Sequence, residues 1–283
     1  MKLIKDILKG VIIGIANAIP GVSGGTMMVS MGIYDEIIGS VTHLFKDFKK
    51  SVLTLLPYFI GMGIGIVGLA FAIDYLFKTF PLQTKLLFIG LILGGVPILL
   101  GKVKGKKVKV PYVLVFLLLF AAIILMELFG GEGHTVTLSI TPLQLILLFI
   151  IGVIASATMI IPGVSGSMML MILGYYSPIM SLVKGLIVAL TSRDWHTVGV
   201  SVAYLVPFGL GVVVGIFAVA KGIEILLNKH ETITYYGILG LVASSPFVIL
   251  MGTALAAITV PSVLTGIVTL ALGMFCAFKL SKE

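Results

Sequence analysis

Charged residues are scarce in this sequence of 283 residues: Asp, Glu, Lys and Arg make up 11% of it, whereas 59% is hydrophobic. A soluble domain of ordinary composition contains about 25% charged residues. So few polar side chains cannot cover a water-exposed surface of this size, and so much apolar surface is foreign to disordered chains. The sequence therefore predicts a protein of the lipid bilayer and excludes a soluble enzyme.

Cysteine, histidine and acidic residues are also few. Cys276 is the single cysteine, so the chain forms no internal disulfide bond. The four histidines show no spacing typical of metal ligands, and we predict neither a metal nor a cofactor. The formal net charge of +8 does not indicate a nucleic-acid partner, because such binding needs a basic patch on a water-exposed surface. Membrane topology explains the basic residues instead.

Long apolar runs are abundant, and a helix of about 20 residues crosses the hydrocarbon core of a bilayer. Six runs predict full spans, at residues 51–77, 84–101, 111–130, 198–220, 235–252 and 262–278. Two further apolar runs, 3–19 and 143–161, lead directly into a Pro-Gly pair. The first of these also resembles a signal peptide, since Ala16-Asn17-Ala18 fits a cleavage site.

An internal repeat argues against that signal peptide. The pentapeptide Pro-Gly-Val-Ser-Gly occurs at 20–24 and again at 162–166, in the middle of the chain, where no leader can lie. The same offset of 142 pairs Gly32 with Gly174 and Tyr34 with Tyr176. An offset of 150 then pairs Gly61 with Gly211, Gly65 with Gly215 and Gly90 with Gly240. We predict one membrane domain built from two halves, 1–135 and 136–283.

The number of spans in each half predicts how the halves are related. If the motif segments at 3–42 and 143–190 are re-entrant hairpins, each half contains three spans, an odd number, and the second half is inverted. With both termini in the cytoplasm, 15 of the 19 basic residues lie on the inner side. The four on the outer side are Lys78, Lys85, Lys184 and Arg193. The predicted fold class is thus an all-α polytopic membrane protein with two inverted repeats.

The Pro-Gly pairs predict where a ligand binds. Proline interrupts the helical hydrogen bonds, and such irregular backbone at membrane depth must be buried in protein or line a polar cavity. The half-helix that follows offers free N–H groups and a partial positive charge to an anion. The predicted helix breaks are Pro20, Gly21, Pro162 and Gly163. The predicted anion-binding residues are Ser23, Gly24, Gly25, Thr26, Ser165, Gly166, Ser167 and Asn17. Asn17 is either a ligand contact or a cap for freed carbonyl groups.

Other polar and small residues have weaker interpretations. Candidate charge partners for an anion are Lys85, Lys184, Arg193, Asp74 and Glu224. Solvation in loops is the favoured explanation for Lys184 and Arg193, and solvation at the membrane interface for Asp74 and Glu224. Asp35 and Glu36 predict the start of an amphipathic interfacial helix that runs to Lys50. The patterns Gly61-x-x-x-Gly65 and Gly211-x-x-x-Gly215 are typical of close helix packing in membranes.

A serine hydrolase is the rival hypothesis, because Gly21 to Gly25 satisfies the G-x-S-x-G pattern of a nucleophile and looks like the serine motif of rhomboid proteases. A serine nucleophile needs a base within hydrogen-bond reach. His43, His134, His196 and His230 all fall in predicted loops or interfacial segments. We therefore predict a transporter and not an enzyme.

The two motifs resemble those of the PopT family of bacterial membrane proteins. The resemblance rests on Asn17 to Thr26, on Gly32-Ile33-Tyr34 and on Ile161 to Ser167, and it extends over essentially the whole chain. It implies a protein of the bacterial cytoplasmic membrane that returns undecaprenyl phosphate, the lipid carrier of cell-wall synthesis, to the inner leaflet by alternating access. A soluble-anion transporter or channel and a membrane scaffold remain alternatives. The coupling ion, a proton or Na⁺, and the oligomeric state are left open.

Overall fold

A computed structural model describes the backbone of residues 2–18, 23–68, 70–129, 135–163, 166–251 and 258–281, and their side chains except at 2, 18, 67–74, 168 and 281. Within these ranges the chain is helical and contains no strand. In chain order the helices are α1 (Lys2–Ala18), α2 (Gly24–Ser30), α3 (Tyr34–Thr42), α4 (Phe48–Gly63), a π-helical segment (Ile64–Gly68), α5 (Ala70–Thr79), α6 (Pro81–Val103), α7 (Val110–Phe129), α8 (Pro142–Ile160), α9 (Gly166–Ile172), α10 (Tyr176–Ser192), α11 (Trp195–Met251) and α12 (Val260–Ser281).

Most of the predicted spans are confirmed as helices. The spans 84–101, 111–130 and 262–278 correspond to α6, α7 and α12, with ends that differ by at most three residues. Five of the described helices, α6, α7, α8, α11 and α12, are long and apolar enough to cross a membrane. The all-helical, polytopic fold class is thus confirmed.

Three predicted spans show features that hydropathy did not indicate. Span 51–77 consists of α4, the π-helical segment and α5. The described residues of spans 198–220 and 235–252 lie in α11, which consists of two helices that meet at a kink at His230 (φ −135°, ψ 45°). The charged connector between these two spans contains the kink and is helical on both sides of it, because lysine and glutamate are good helix formers.

The interfacial helix that begins at Tyr34 is shorter than predicted. It was expected to run to Lys50, but α3 ends at Thr42 and α4 begins at Phe48. His43 accounts for this end, because its backbone N–H and its side-chain Nδ1 both approach the carbonyl oxygen of Gly39, at 3.1 and 2.8 Å. A histidine at a helix C-terminus satisfies carbonyl groups that have no partner in the helix.

The short helices α2 and α9 end in the same way. Gly32 and Gly174 both adopt positive φ, at 70° and 77°. The amides of Gly32 and Ile33 donate to the carbonyl oxygens of Val29 and Met28. In the same way, the amides of Gly174 and Tyr175 donate to those of Met171 and Leu170. Each set is a Schellman motif, which glycine favours because it has no Cβ. The matching of Gly32 with Gly174 in the sequence thus has a direct structural cause.

Close glycine contacts join α1 to α4 and α8 to α11. A Cβ on Gly61 would lie 2.1 Å from the carbonyl oxygen of Ile7, and one on Gly211 would lie 2.0 Å from that of Phe149. Cβ atoms on Gly65 and Gly215 would similarly approach the carbonyl oxygens of Val11 and Val153, at 2.4 and 2.7 Å. The predicted packing role of these glycines is therefore confirmed.

Candidate functional site

The first tip, which we define as Ser23 to Thr26, forms the start of α2. Ser23 is the N-cap residue (φ −102°, ψ 127°), and its side chain makes no capping hydrogen bond. All four residues are buried, and Ser23 is 5% exposed. Within the described residues the Ser23 hydroxyl has no hydrogen-bond partner. A buried hydroxyl without a partner is unusual, because it loses its bonds to water and gains nothing in return.

The first tip packs directly against the second helix break. A Cβ on Gly25 would lie 2.9 Å from the carbonyl oxygen of Ile160 and 3.2 Å from the backbone nitrogen of Pro162. The backbone N–H of Gly163 donates to Thr26 Oγ1 at 2.7 Å, between residues 137 positions apart. Gly163 has φ +86°, a conformation that side chains with a Cβ rarely adopt. The structure thus brings Gly25 and Thr26 of the first motif against Pro162 and Gly163 of the second.

The hydroxyl group of Thr26 is bonded to other parts of the protein. Besides accepting from Gly163, its hydroxyl lies 3.4 Å from the hydroxyl of Ser245 in α11, and the residue is fully buried. Ser245 was not predicted as a site residue. The signal available in the sequence was the polar pair Ser244-Ser245 before Pro246 in an apolar span.

Replacing Thr26 tests this structural role. Thr26→Val keeps the shape of the side chain but leaves the buried Gly163 N–H without an acceptor, which costs about 1–3 kcal/mol. We expect thermal unfolding in detergent to occur at a clearly lower temperature for Thr26→Val, whereas Thr26→Ser stays close to the wild type. Equal unfolding temperatures for the two variants would contradict the role.

We define the second tip as Ser165 to Ser167, the residues that correspond to the first tip in the sequence repeat. Asn17 and Met159 occupy corresponding places next to Gly24 of the first tip and Gly166 of the second. A Cβ on Gly24 would lie 2.4 Å from Asn17 Oδ1, and one on Gly166 would lie 2.7 Å from Met159 Cγ. Asn17 is therefore in contact with the first tip, as required of a ligand contact or of a cap. Ser167 is half-buried at the start of α9. The predicted residues Pro20, Gly21 and Ser165 lie outside the described part of the chain.

The predicted charge partners have different surroundings. Glu224 is engaged by Lys221 Nζ at 2.7 Å and by His43 Nε2 at 3.5 Å. Lys184 and Arg193 are exposed on α10 and at its C-terminus, and Lys85 is half-buried in α6. The side chain of Asp74 lies outside the described part of the structure.

The serine of the first tip is not seen next to a histidine. His43 Nδ1 is bonded to the Gly39 carbonyl, and its Nε2 faces Glu224, whereas His196 and His230 are exposed. His134 lies outside the described residues. In the described ranges, His, Cys, Asp and Glu form no group of three that could hold a metal ion.

A second polar cluster, which sequence reasoning missed, joins three distant segments. Asp35 Oδ2 accepts from Lys102 Nζ at 3.0 Å and from the Tyr235 hydroxyl at 2.6 Å, and the Lys102 ammonium lies 5.3 Å from the centre of the Tyr235 ring. We call Asp35, Lys102 and Tyr235 the polar latch. It closes a cavity of about 40 Å³ that Tyr34 also lines. Burial raises the pKa of Tyr34 in α3, so this hydroxyl stays neutral.

Comparison with known proteins identifies the family. A family model described as undecaprenyl phosphate translocase-like matches residues 13–265. The chain is 31% identical over 252 residues to a polyprenyl-phosphate transporter of Staphylococcus aureus, covering 87% of this chain and 86% of the relative. It is 30% identical over 259 residues to a polyprenyl-phosphate transporter of Vibrio cholerae, covering 85% and 75%. No solved structure matches.

The resemblance that rested on the two Pro-Gly-Val-Ser-Gly motifs is confirmed by these matches, which extend over most of the chain. With its apolar helices, this chain is a multi-pass bacterial membrane protein. It belongs to the undecaprenyl phosphate translocase-like family.

Proposed function

We propose that this protein translocates a polyprenyl phosphate, with undecaprenyl phosphate as its substrate, across the bacterial cytoplasmic membrane and so recycles the lipid to the inner leaflet. The names of the two relatives and of the family support the substrate class. The fold supports a transporter because irregular backbone between apolar helices is typical of substrate sites in secondary transporters.

The phosphate group binds at the two tips in this proposal. Ser23, Gly24 and Gly25 supply a hydroxyl and backbone N–H groups from the first tip, and Ser165, Gly166 and Ser167 supply the equivalent groups from the second. The observation that carries the proposal is the buried Ser23 hydroxyl, which has no partner in the described protein and is therefore available to a ligand. Thr26 holds the tips together through Gly163 and does not bind the phosphate directly.

Two inverted repeats form the framework of the site. The paired Schellman motifs at Gly32 and Gly174 support this arrangement, since they occur at the offset of the repeated pentapeptide. The glycine contacts support it too, because Gly61 meets Ile7 and Gly211 meets Phe149. Ile7 and Phe149 are 142 positions apart and Gly61 and Gly211 are 150 apart, which are the two offsets of the sequence repeat. Rocking of one repeat against the other then exposes the tips to each leaflet in turn.

The phosphate needs a counter-charge, because an isolated charge in the middle of a bilayer is costly. A proton or Na⁺ that travels with the lipid supplies it in this proposal. Lys85, which is half-buried in α6, and Lys184, which is exposed on α10, are the lysines considered for a share in that task.

The polar latch closes the cytoplasmic end in the state described. The positive-inside distribution of lysines supports a cytoplasmic location for this end. The latch joins α3 to the end of α6 in the first half and to α11 in the second half. The bond from Tyr235 to Asp35 crosses between the halves and must break when they separate there.

Loss of the latch is expected to favour opening at this end. Tyr235→Phe removes one hydrogen bond to a partly exposed carboxylate, worth about 1 kcal/mol, or about fivefold in the population of the open state. Val29 lines the cavity beneath the latch and is 2% exposed. In a Cys276→Ser background, a water-soluble maleimide should therefore label Val29→Cys about five times faster when Tyr235→Phe is present.

A neighbouring tyrosine provides the control for this measurement. Tyr236 packs against Tyr112, with ring centres 5.5 Å apart, and takes no part in the latch. Tyr236→Phe should leave the labelling rate unchanged. Equal rates in Tyr235→Phe and Tyr236→Phe would show that the latch does not restrain this end of the protein.

Reconstitution tests the proposed function directly. Liposomes with the purified protein receive a polyprenyl phosphate that carries a fluorophore, and an impermeant quencher reports the fraction that crosses. We expect protein-dependent crossing of the polyprenyl phosphate and none of the corresponding polyprenol, which lacks the phosphate. Native mass spectrometry should find one polyprenyl phosphate per chain. Uptake of inorganic phosphate without transport of the lipid would instead identify a soluble-anion transporter and refute the proposal.

A further inference from the structure

The two short helices that carry the tips lie at different depths in the protein. Every residue of α2 is buried, and Ser23, which precedes it, is 5% exposed. In α9, every residue whose burial the structure describes is half-buried. The first tip is thus enclosed by protein, whereas the described part of the second tip, Gly166 and Ser167, lies at an accessible edge.

The side chains next to the two tips differ in the same way. Asn17, next to Gly24, is half-buried, whereas its counterpart in the repeat, Met159 next to Gly166, is 42% exposed. Because α8 is apolar enough to cross a membrane, an exposed side chain on it contacts lipid chains. Methionine offers a phosphate no hydrogen-bond donor, but its flexible side chain adapts to apolar partners of irregular shape. The repeat thus has a polar side chain at the enclosed tip and an apolar one at the accessible tip.

The covalent structure of the proposed substrate makes this difference decisive. In a polyprenyl phosphate the first isoprene unit is bonded directly to a phosphate oxygen, so the chain begins within the phosphate site. The chain must leave that site through an accessible part of its wall, because close-packed side chains leave no space for it. Buried residues close the side of the first tip, whereas the half-buried α9 and the exposed Met159 leave the side of the second tip open.

We propose that the polyprenyl chain leaves the phosphate site past the second tip, with its first isoprene unit against Met159. The inference rests on the proposed function, in which the tips hold the phosphate, and it adds the path of the chain. Met159 is then a specificity-determining residue. Its apolar side chain favours a phosphate that carries an isoprene unit over a free phosphate, because contact between the two apolar groups removes both from water.

Photo-crosslinking of the full-length protein locates the chain. The probe is a polyprenyl phosphate with a diazirine in the isoprene unit next to the phosphate, and peptide mass spectrometry identifies the labelled residues. All lipid-facing surfaces react with an apolar probe, so each sample is repeated with an excess of unlabelled polyprenyl phosphate, which removes only the adducts of a specific site. We expect the competed adducts at Met159 and in α9, and none in α1 or α2.

Variants measure the contribution of Met159. Met159→Asn copies the residue of the first half, and native mass spectrometry should show about tenfold less retained polyprenyl phosphate, because an apolar contact with the chain is lost. Met159→Leu keeps that contact and should stay within about twofold of the wild type. Met274→Asn is the matched control, because Met274 is 39% exposed on α12, where its backbone packs against Gly94 of α6. It should retain the lipid like the wild type.

The outcomes separate the path of the chain from the proposed function. Competed adducts in α1 or α2, or equal retention by Met159→Asn and Met159→Leu, would overturn the path past the second tip and leave the proposed transport standing. If Met159→Asn fails to fold, the crosslinks of the wild type still decide. If unlabelled polyprenyl phosphate removes no adduct from any part of the chain, the protein has no specific site for this lipid, and the proposed function fails together with the path.

Discussion

Ser23→Ala is expected to reduce polyprenyl-phosphate translocation by about 10–100-fold and to leave the protein at least as stable as the wild type. The loss of transport follows from the loss of one hydrogen bond to a charged phosphate, worth about 1.5–3 kcal/mol. When Ser165→Ala is added, the equivalent donor of the second tip is lost, and we expect no protein-dependent crossing of the labelled lipid.

The Ser23→Ala variant is expected to be as stable as the wild type, which is unusual for the replacement of an N-cap serine. Replacing an N-cap serine by alanine ordinarily costs about 1 kcal/mol. Ser23 makes no capping bond, and its buried hydroxyl has no described partner, so neither contribution is lost. Removal of an unpaired buried hydroxyl is instead neutral or stabilising. Thermal unfolding in detergent should show an unchanged or higher midpoint.

Ser244→Ala is the matched control for this pair of measurements. Ser244 is fully buried, but its hydroxyl donates to the Leu241 carbonyl within α11. Transport should stay within about twofold of the wild type, because the helical hydrogen bonds satisfy that carbonyl in any case. Normal transport by the double variant Ser23→Ala/Ser165→Ala would refute the phosphate site at the tips.

The sequence predicted the helices well because hydropathy measures the property that inserts them into lipid. The ends of α6, α7 and α12 differ from the predicted spans by at most three residues. Hydropathy does not reveal how helices are joined. The kink at His230 in α11 and the π-helical segment at 64–68 depend on backbone geometry that apolar composition does not specify.

The site was only partly predictable for a related reason. Proline and glycine in the repeated motif determine local backbone geometry, and so the break at Gly163 and the buried first tip were found from the sequence. The contacts of Thr26 with Ser245 and of Asp35 with Tyr235 join residues 219 and 200 positions apart. No local pattern encodes such pairs, because they arise only when the two halves pack together.

Glycine substitutions at helix crossings should show the second large effect. Gly61→Ala places a Cβ 2.1 Å from the carbonyl oxygen of Ile7, a backbone atom that moves only if α1 and α4 separate. Overpacking of this kind costs about 1–3 kcal/mol. Gly63 lies on the same helix with no atom within 4 Å of its Cβ position, and Gly63→Ala should be neutral or stabilising. Thermal unfolding in detergent compares the two variants.

The equivalent pair of substitutions in α11 tests whether the two halves are structural repeats. Gly211→Ala places a Cβ 2.0 Å from the carbonyl oxygen of Phe149, whereas Gly209 has open space around it. If the halves are structural repeats, Gly211→Ala lowers the unfolding temperature about as much as Gly61→Ala, and Gly209→Ala behaves like Gly63→Ala. A lower unfolding temperature for Gly61→Ala together with an unchanged one for Gly211→Ala would mean that the two helix crossings contribute unequally to stability. The matching glycines would then reflect the preference of membrane helices for small residues and would not indicate a common framework around the tips.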